Sequence, residues 1–256
     1  MPETKPPKNG DAVADYYDTV AGNWDAEFGV LRQNHRFTQQ MSQKLQKLLE
    51  PDKDKPLALE LGFGTGPYIG KTAPMFRHII AGDISEGMLA VAAKRLQTSG
   101  VQNVTLQKLD VLDMQAIASE SIDVIHSVGL LETVSDLSTH FKECFRVLKP
   151  GGSLCGITSN GDCPWYRLRW YLEGGQRHCR AKALVTRRDL ERHLPEAGFD
   201  VPATETWGAV PPGMQRGWLI ATLATLEACV APTPAVRYLG LLSFRTHKRS
   251  NQMHRQ

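Results

Sequence analysis

The chain is poor in cysteine, and the five it has (Cys144, Cys155, Cys163, Cys179 and Cys229) are scattered, odd in number and never spaced as CxxC. That pattern argues against a disulfide framework. Long hydrophobic runs are missing as well: the longest, residues 218–230, is shorter than a membrane span and contains Glu227. Charge of one sign is not in excess, since 30 Lys+Arg against 27 Asp+Glu leave a formal +3. Beyond a short basic tail there is no basic stripe, which argues against a nucleic-acid binder relying on phosphate neutralisation. Residues 1–10 carry charges and three prolines but no apolar h-region, so they are expected to be a disordered arm rather than a signal or transit peptide. No internal repeat and no further low-complexity segment interrupts the rest. The expectation is a soluble, cytoplasmic protein without nucleic-acid partners.

What is present is 256 residues, 41% hydrophobic and 22% charged, enough for one domain with appendages and a sizeable core. Helical spacing of apolar residues predicts helices over 11–28 and 37–49. From residue 57 onward, strand-like runs at 57–61, 78–83, 104–108, 122–127 and 153–158 alternate with helical stretches at 68–75, 86–97 and 137–148. Such alternation implies right-handed crossovers and a parallel sheet covered on both faces. The stretch 161–183, rich in Trp, Tyr, Arg and Gly, reads as an insertion. It is followed by a helix at 186–197 with Thr186 and Asp189 in capping-box positions, a strand at 200–210, an apolar helix at 215–230 and a last strand at 238–246. The fold class is α/β: a Rossmann-like, doubly wound, mostly parallel seven-stranded sheet with N-terminal helices and a C-terminal helical insertion.

The strongest chemical signal is Glu60-Leu61-Gly62-Phe63-Gly64-Thr65-Gly66, directly after a strand and before a helix. Glycines there let the backbone turn sharply and let a ligand approach the main chain. A nicotinamide fold wants Gly or Ala where this chain has Pro67, which demotes that reading. Asp83 closes the second strand, where a carboxylate can accept two hydrogen bonds from ribose hydroxyls. Capping the helix at 86–97 is its structural alternative, a role open to Ser85 instead.

With Asp83-Ile84-Ser85-Glu86-Gly87-Met88-Leu89, Asp110-Val111 and Leu148-Lys149-Pro150-Gly151-Gly152 following in order, the chain resembles the class I S-adenosylmethionine-dependent methyltransferases, in particular the ubiquinone/menaquinone and small-molecule branch. The resemblance covers residues 14–158. It implies S-adenosylmethionine as cofactor and transfers roles position by position. Glu60 and Gly62, Gly64 and Gly66 would hold the methionine part. Asp83 would bind the ribose, and Ile84 or Met88 would pack on the adenine. Asp110 would accept from the adenine amino group beside a backbone contact from Val111, and Ser127 would mark the reaction mouth. Residues 11–50 would form a lid, with Tyr17 reaching the cofactor carboxylate and Trp24 shielding the site. Residues 51–160 would be the cofactor-binding core and 161–256 the acceptor-site cover within the same domain.

The chain departs from its relatives at Thr133, where many members have a histidine that serves as a base. Glu132, Tyr17 and His178 are the catalytic candidates, His193 reads as a surface residue, and His126 as a satisfied core histidine. The aromatic and apolar C-terminal half (Trp165, Tyr166, Trp170, Tyr171, Trp207, Trp218) implies a small apolar or aromatic acceptor, and its arginines allow peripheral membrane contact. A monomer or homodimer, and no metal, complete the expectation. Two other readings stay open: a metal-aided enzyme using the same cofactor as an amino donor to a quinone, and a catalytically silent binding protein.

Overall fold

The computed structural model describes residues 10–27, 35–50, 56–166, 168, 185–210 and 215–249. Seven strands make one sheet: β1 (Leu57–Leu61), β2 (His78–Asp83), β3 (Val104–Lys108), β4 (Ile122–Val128), β5 (Leu148–Ser159), β6 (Ala203–Trp207) and β7 (Leu241–His247), in the order β3-β2-β1-β4-β5-β7-β6. The first five run parallel, and β7 lies antiparallel between β5 and β6. The chain winds outward from β1 to β3 and starts again on the other side of β1 with β4. Loops leaving the carboxyl ends of β1 and β4 therefore diverge, and the crevice between them is where this sheet type takes a ligand.

The central strands are buried on both faces, which is why β1, β4 and β5 read as apolar without strict alternation, whereas the edge strands β3 and β6 alternate. Leu59, Leu61, Ile125 and Leu154 pack on one side with α6 (Leu137–Val147) and α7 (Arg187–Glu196), through Phe141, Cys144, Leu190 and Leu194. Ala58, Val124, Cys155 and Ile157 pack on the other, under α3 (His35–Leu48) and α4 (Ile69–Thr72), with Phe37, Met41, Leu45 and Phe76. Ahead of α3 stand α1 (Gly10–Val20), a 3-10 turn (Ala21–Asn23) and α2 (Trp24–Glu27). They lie on α5 (Glu86–Ser99), the helix that follows β2.

Two expectations need correction, and the setting of the apolar helix is a further finding. The helix expected over 68–75 is split into α4 and a 3-10 turn, Ala73–Met75, because Pro74 has no N–H to continue the ladder. Pro234–Tyr238, in part assigned to the last strand, is likewise a 3-10 turn. The apolar helix α8 (Gly217–Val230) is not buried through its apolar side chains: Glu227 is its only buried residue, and Trp218 is 67% exposed. Glu227 Oε1 accepts from Gly208 N at 2.9 Å and Gln40 Nε2 at 2.7 Å, and Oε2 accepts from Ala209 N at 3.2 Å. A carboxylate with three donors, rather than an oily stripe, fastens this helix. No helix of the described residues is long and apolar enough to cross a membrane.

Candidate cofactor site

The loop after β1 is held open from below. Gly62 and Gly64 both have φ in the left-handed region, +67° and +57°, where a side chain is strained. They differ in surroundings. A Cβ on Gly62 would lie 2.9 Å from Leu130 Cδ1, so that glycine is packed against the loop after β4. A Cβ on Gly64 would meet nothing within 4 Å, so Gly64 faces open space while its N–H donates to Asp83 Oδ2 at 2.7 Å. Gly66, also at positive φ, is closed off by the Phe63 ring. Of the three glycines named from the sequence, only Gly64 borders a space a ligand can enter.

Asp83 is buried at the carboxyl end of β2, and Ser85 N donates to its Oδ1 at 2.9 Å. Burial pushes its carboxyl above the usual carboxylate range, and the amides of Ser85 and Gly64 pull it back. Capping of α5 falls to Ser85, whose Oγ accepts from Met88 N at 3.0 Å, so Asp83 is not spent on the helix. Its two oxygens hold the amides of Gly64 and Ser85, the Ile84 amide also contributes, and with about four lone-pair sites the carboxylate keeps capacity for a further donor. Ile84 is half-exposed beside it, whereas Met88 is 2% exposed and faces the core, which makes Ile84 the one of the two that can meet an adenine.

On the β3 side of Asp83, Asp110 Oδ1 accepts from Leu112 N at 2.9 Å, so the residue does cap its own loop. Oδ2 points toward α1: a Cβ on Gly10 would lie 3.0 Å from it and 3.4 Å from Ile84 Cδ1. The start of α1 thus walls the space between Ile84 and Asp110. Val111 packs on the core, and its carbonyl is engaged by His140 Nδ1 at 3.2 Å. Ser127 is buried at the end of β4, in register with Leu61.

Glu132, in the turn after β4, accepts from Ser159 N through Oε1 at 2.8 Å, which ties it to the end of β5. Its Oε2 lies on the Gly129 side. Tyr17 packs edge-on against Trp24, ring centroids 5.5 Å apart. His193, read as a surface residue, is instead half-buried, with its side chain 19% exposed and Nδ1 3.6 Å from Glu196. His178, with Trp170, Tyr171 and residues 211–214, lies outside the described residues. Among the described residues no three His, Cys, Asp or Glu side chains gather into a metal site.

Two acids of the segment read as a lid, Asp18 and Asp25, make contacts that were not assigned from sequence. Asp18 of α1 accepts from Ser85 Oγ at 2.5 Å and Gly87 N at 2.8 Å. Asp25 of α2 accepts from Thr65 Oγ1 at 2.8 Å and pairs with Arg95. Both acids stand in the segment read as a lid, one per turn of chain facing the loops, and their alternation with aromatics was the available signal. His126 departs from expectation: it is buried, but neither ring nitrogen has a hydrogen-bond partner.

The donor set fits a nucleoside with an amino-acid tail: an open glycine edge, a buried carboxylate for vicinal hydroxyls, a half-exposed isoleucine and a second carboxylate opposite. Comparison with known proteins agrees. A family model described as a methyltransferase domain matches residues 59–156. Malonyl-[acyl-carrier protein] O-methyltransferase of Methylococcus capsulatus is 34% identical over 144 residues, which are 55% of this chain and 50% of that protein. The chain spans about half the length of that relative. Ubiquinone biosynthesis O-methyltransferase of Agrobacterium fabrum is 24% identical over 220 residues, 78% of this chain and 86% of the relative. In fold, the chain is similar to the [4+2]-cyclase SpnF (TM-score 0.70, 17% identity, 96% of this chain and 98% of that one). It is also similar to a possible histamine N-methyltransferase of Thermotoga maritima (TM-score 0.65, 20% identity, 92% and 99%). Residues 59–156 thus match a methyltransferase domain, and the chain is similar to methyltransferases in sequence and in fold. The matched stretch runs from β1 into β5 and contains the Glu60 to Gly66 loop and Asp83.

Proposed function

We propose that the protein transfers a methyl group from S-adenosylmethionine to an oxygen of a small apolar or aromatic acceptor. The observation that carries the reading is the bond from Gly64 N–H to Asp83 Oδ2, which couples an open glycine edge to a buried ribose-binding carboxylate. Two relatives named as O-methyltransferases bring the oxygen acceptor to this chain. The aromatic pair Tyr17 and Trp24 on the lid and the apolar residues of the C-terminal half support an apolar one.

When bound, the cofactor supplies a methyl carbon already activated by a sulfonium. The chain's own residues then have to orient, exclude water and accept a proton. Orientation alone is worth roughly 7–11 kcal/mol for a well-aligned pair. In this reading Asp83, Ile84 and Asp110 fix the nucleoside, and α1 and α2 close over it through Asp18 and Asp25. Residues 11–50 thereby act as lid and 161–256 as cover over the acceptor. Glu132, held by Ser159 N–H through one oxygen, presents the other as base: the acceptor O–H gives its proton to Oε2 while its oxygen takes the methyl.

The test is direct. The protein is incubated with S-adenosylmethionine and a panel of phenols, hydroquinones and carboxylic acids, with products read by mass. One added methyl with matching S-adenosylhomocysteine supports methyl transfer. Transfer of an amino group instead, or tight cofactor binding with no turnover across the panel, overturns it. Asp83→Ala should weaken S-adenosylhomocysteine binding by about a hundredfold, since it removes two ribose acceptors and orphans the Gly64 and Ser85 amides. Wild-type affinity in that variant removes the ribose assignment.

A further inference from the structure

Glu60 on β1 and His126 on β4 are register partners and project to the same face of the sheet, just before the glycine loop begins. They are 4% and 1% exposed. His126 Nε2 lies 3.7 Å from Glu60 Oε2, beyond a hydrogen bond but within one after a shift of less than 1 Å. Oε2 and both ring nitrogens have no hydrogen-bond partner. Buried polar atoms in native proteins are paired almost without exception, so three orphans at one place call for a function.

Among the described residues, no other charge acts on the pair. Ala81 of β2 and Cys155 of β5 flank it in register, and the Cys155 thiol turns to the Leu48 carbonyl. The Phe76 ring stacks on His126 with centroids 5.7 Å apart. α3 contributes Met41 and Leu45 to the apolar cluster on this face of the sheet. Arg245 of β7 is the first cation along the row, beyond Cys155, and it donates to the carbonyls of Leu48 and Glu50. In this setting burial pushes Glu60 up to about 8 and His126 down to about 3, so both are neutral at pH 7 although they stand at ion-pair distance.

A neutral acid cannot balance an arriving ammonium group; a carboxylate can. We propose that Glu60 and His126 form one proton-sharing pair coupled to the cofactor: as an ammonium docks over the glycine loop, the Glu60 O–H bond breaks, His126 Nε2 takes the proton, and the carboxylate faces the cation. No charge is created or lost in the protein, and no water has to carry the proton away. His126 is a positioning residue that acts through Glu60. The inference rests on the cofactor reading above.

The experiment is the nitrogen NMR spectrum of His126 in full-length, histidine-labelled protein at pH 7, assigned with H126Q. It is recorded free, saturated with S-adenosylhomocysteine, and saturated with methylthioadenosine, which lacks the amino-acid end. The expected result is a neutral imidazole in the free and methylthioadenosine-bound protein and an imidazolium with S-adenosylhomocysteine. A neutral ring in that last complex, or an imidazolium in the free protein, overturns the proposal. Calorimetry in buffers of different ionisation enthalpy gives an independent reading. Wild type should bind S-adenosylhomocysteine with no net proton exchanged, whereas H126Q and H126F should release close to one. Their affinity should then fall up to about tenfold for each pH unit below the Glu60 value. Equal proton counts in wild type and both variants defeat the pairing. Absence of any heat with wild type removes the cofactor reading itself, and the inference with it.

Discussion

Asp18 on the first helix accepts a 2.5 Å hydrogen bond from Ser85, the residue that caps the helix after β2. One carboxylate therefore joins the N-terminal segment to the turn that follows Asp83, through Ser85 Oγ and the Gly87 amide.

Asp18→Ala is expected to weaken S-adenosylhomocysteine binding by about tenfold, discounted from the full value of two charge-assisted bonds because the side chain is solvent-exposed. Calorimetry decides it, and an unchanged affinity would disconnect the lid from the site. The Ser85 hydroxyl, and next the Gly87 amide, hold the Asp18 carboxyl below its usual value. Its contribution is thus complete at neutral pH and is lost only as pH falls below about 4, through the lowered value.

The two glycines of opposite surroundings should separate folding from binding. Gly62→Ala meets both positive φ and Leu130, and should lose roughly 2–4 kcal/mol of stability. Gly64→Ala meets positive φ alone and should cost about 1–2 kcal/mol, while its methyl group intrudes on the open side and reduces cofactor affinity. Thermal melts beside binding curves check the pair; a reversed ranking of stability would contradict the packing.

Glu132→Gln keeps the acceptor for Ser159 N–H and removes the basic oxygen. With an oxygen acceptor, kcat should fall roughly 100- to 10,000-fold while S-adenosylhomocysteine affinity stays at the wild-type level. A kcat within a factor of about two of wild type would assign the base elsewhere.

The buried pair also shapes stability against pH. Glu60 has a raised value in the folded protein, so its contribution is full below the ordinary carboxylate value and drains away as pH rises to about 8. His126 has a lowered value, so its contribution is full above the ordinary histidine value and lost as pH falls toward 3. The two slopes oppose each other between about pH 4.5 and 6.5, and Glu60 acts alone above that. Stability should decline by about 2 kcal/mol from pH 6.5 to 8, and E60Q should flatten that decline in denaturant titrations. A slope that persists in E60Q would place the linkage on another group.

Strands β1, β2 and β3 were legible to the residue: burial on both faces writes β1 and β2 as apolar runs, and the edge strand β3 shows the alternation of a half-exposed one. Asp83 was legible through its spacing from the glycines, and the structure settles the competition for the helix cap by giving it to Ser85. The pairing of Glu60 with His126 was not, since it depends on the β1–β4 register between segments far apart in sequence. Two polar residues in otherwise apolar strands were the visible trace. The bare surface of α8 was hidden for the opposite reason: apolar composition predicts burial, and nothing local announces that Glu227 has replaced it.

That replacement changes what the last helix is free to become. A helix seated by an oily stripe must conserve the shape of every residue in the stripe, whereas α8 hangs from one peg set into Gly208, Ala209 and Gln40. Its outward positions, Trp218 and Leu226 among them, can be rewritten one at a time with little penalty to the fold, while the peg itself tolerates no exchange.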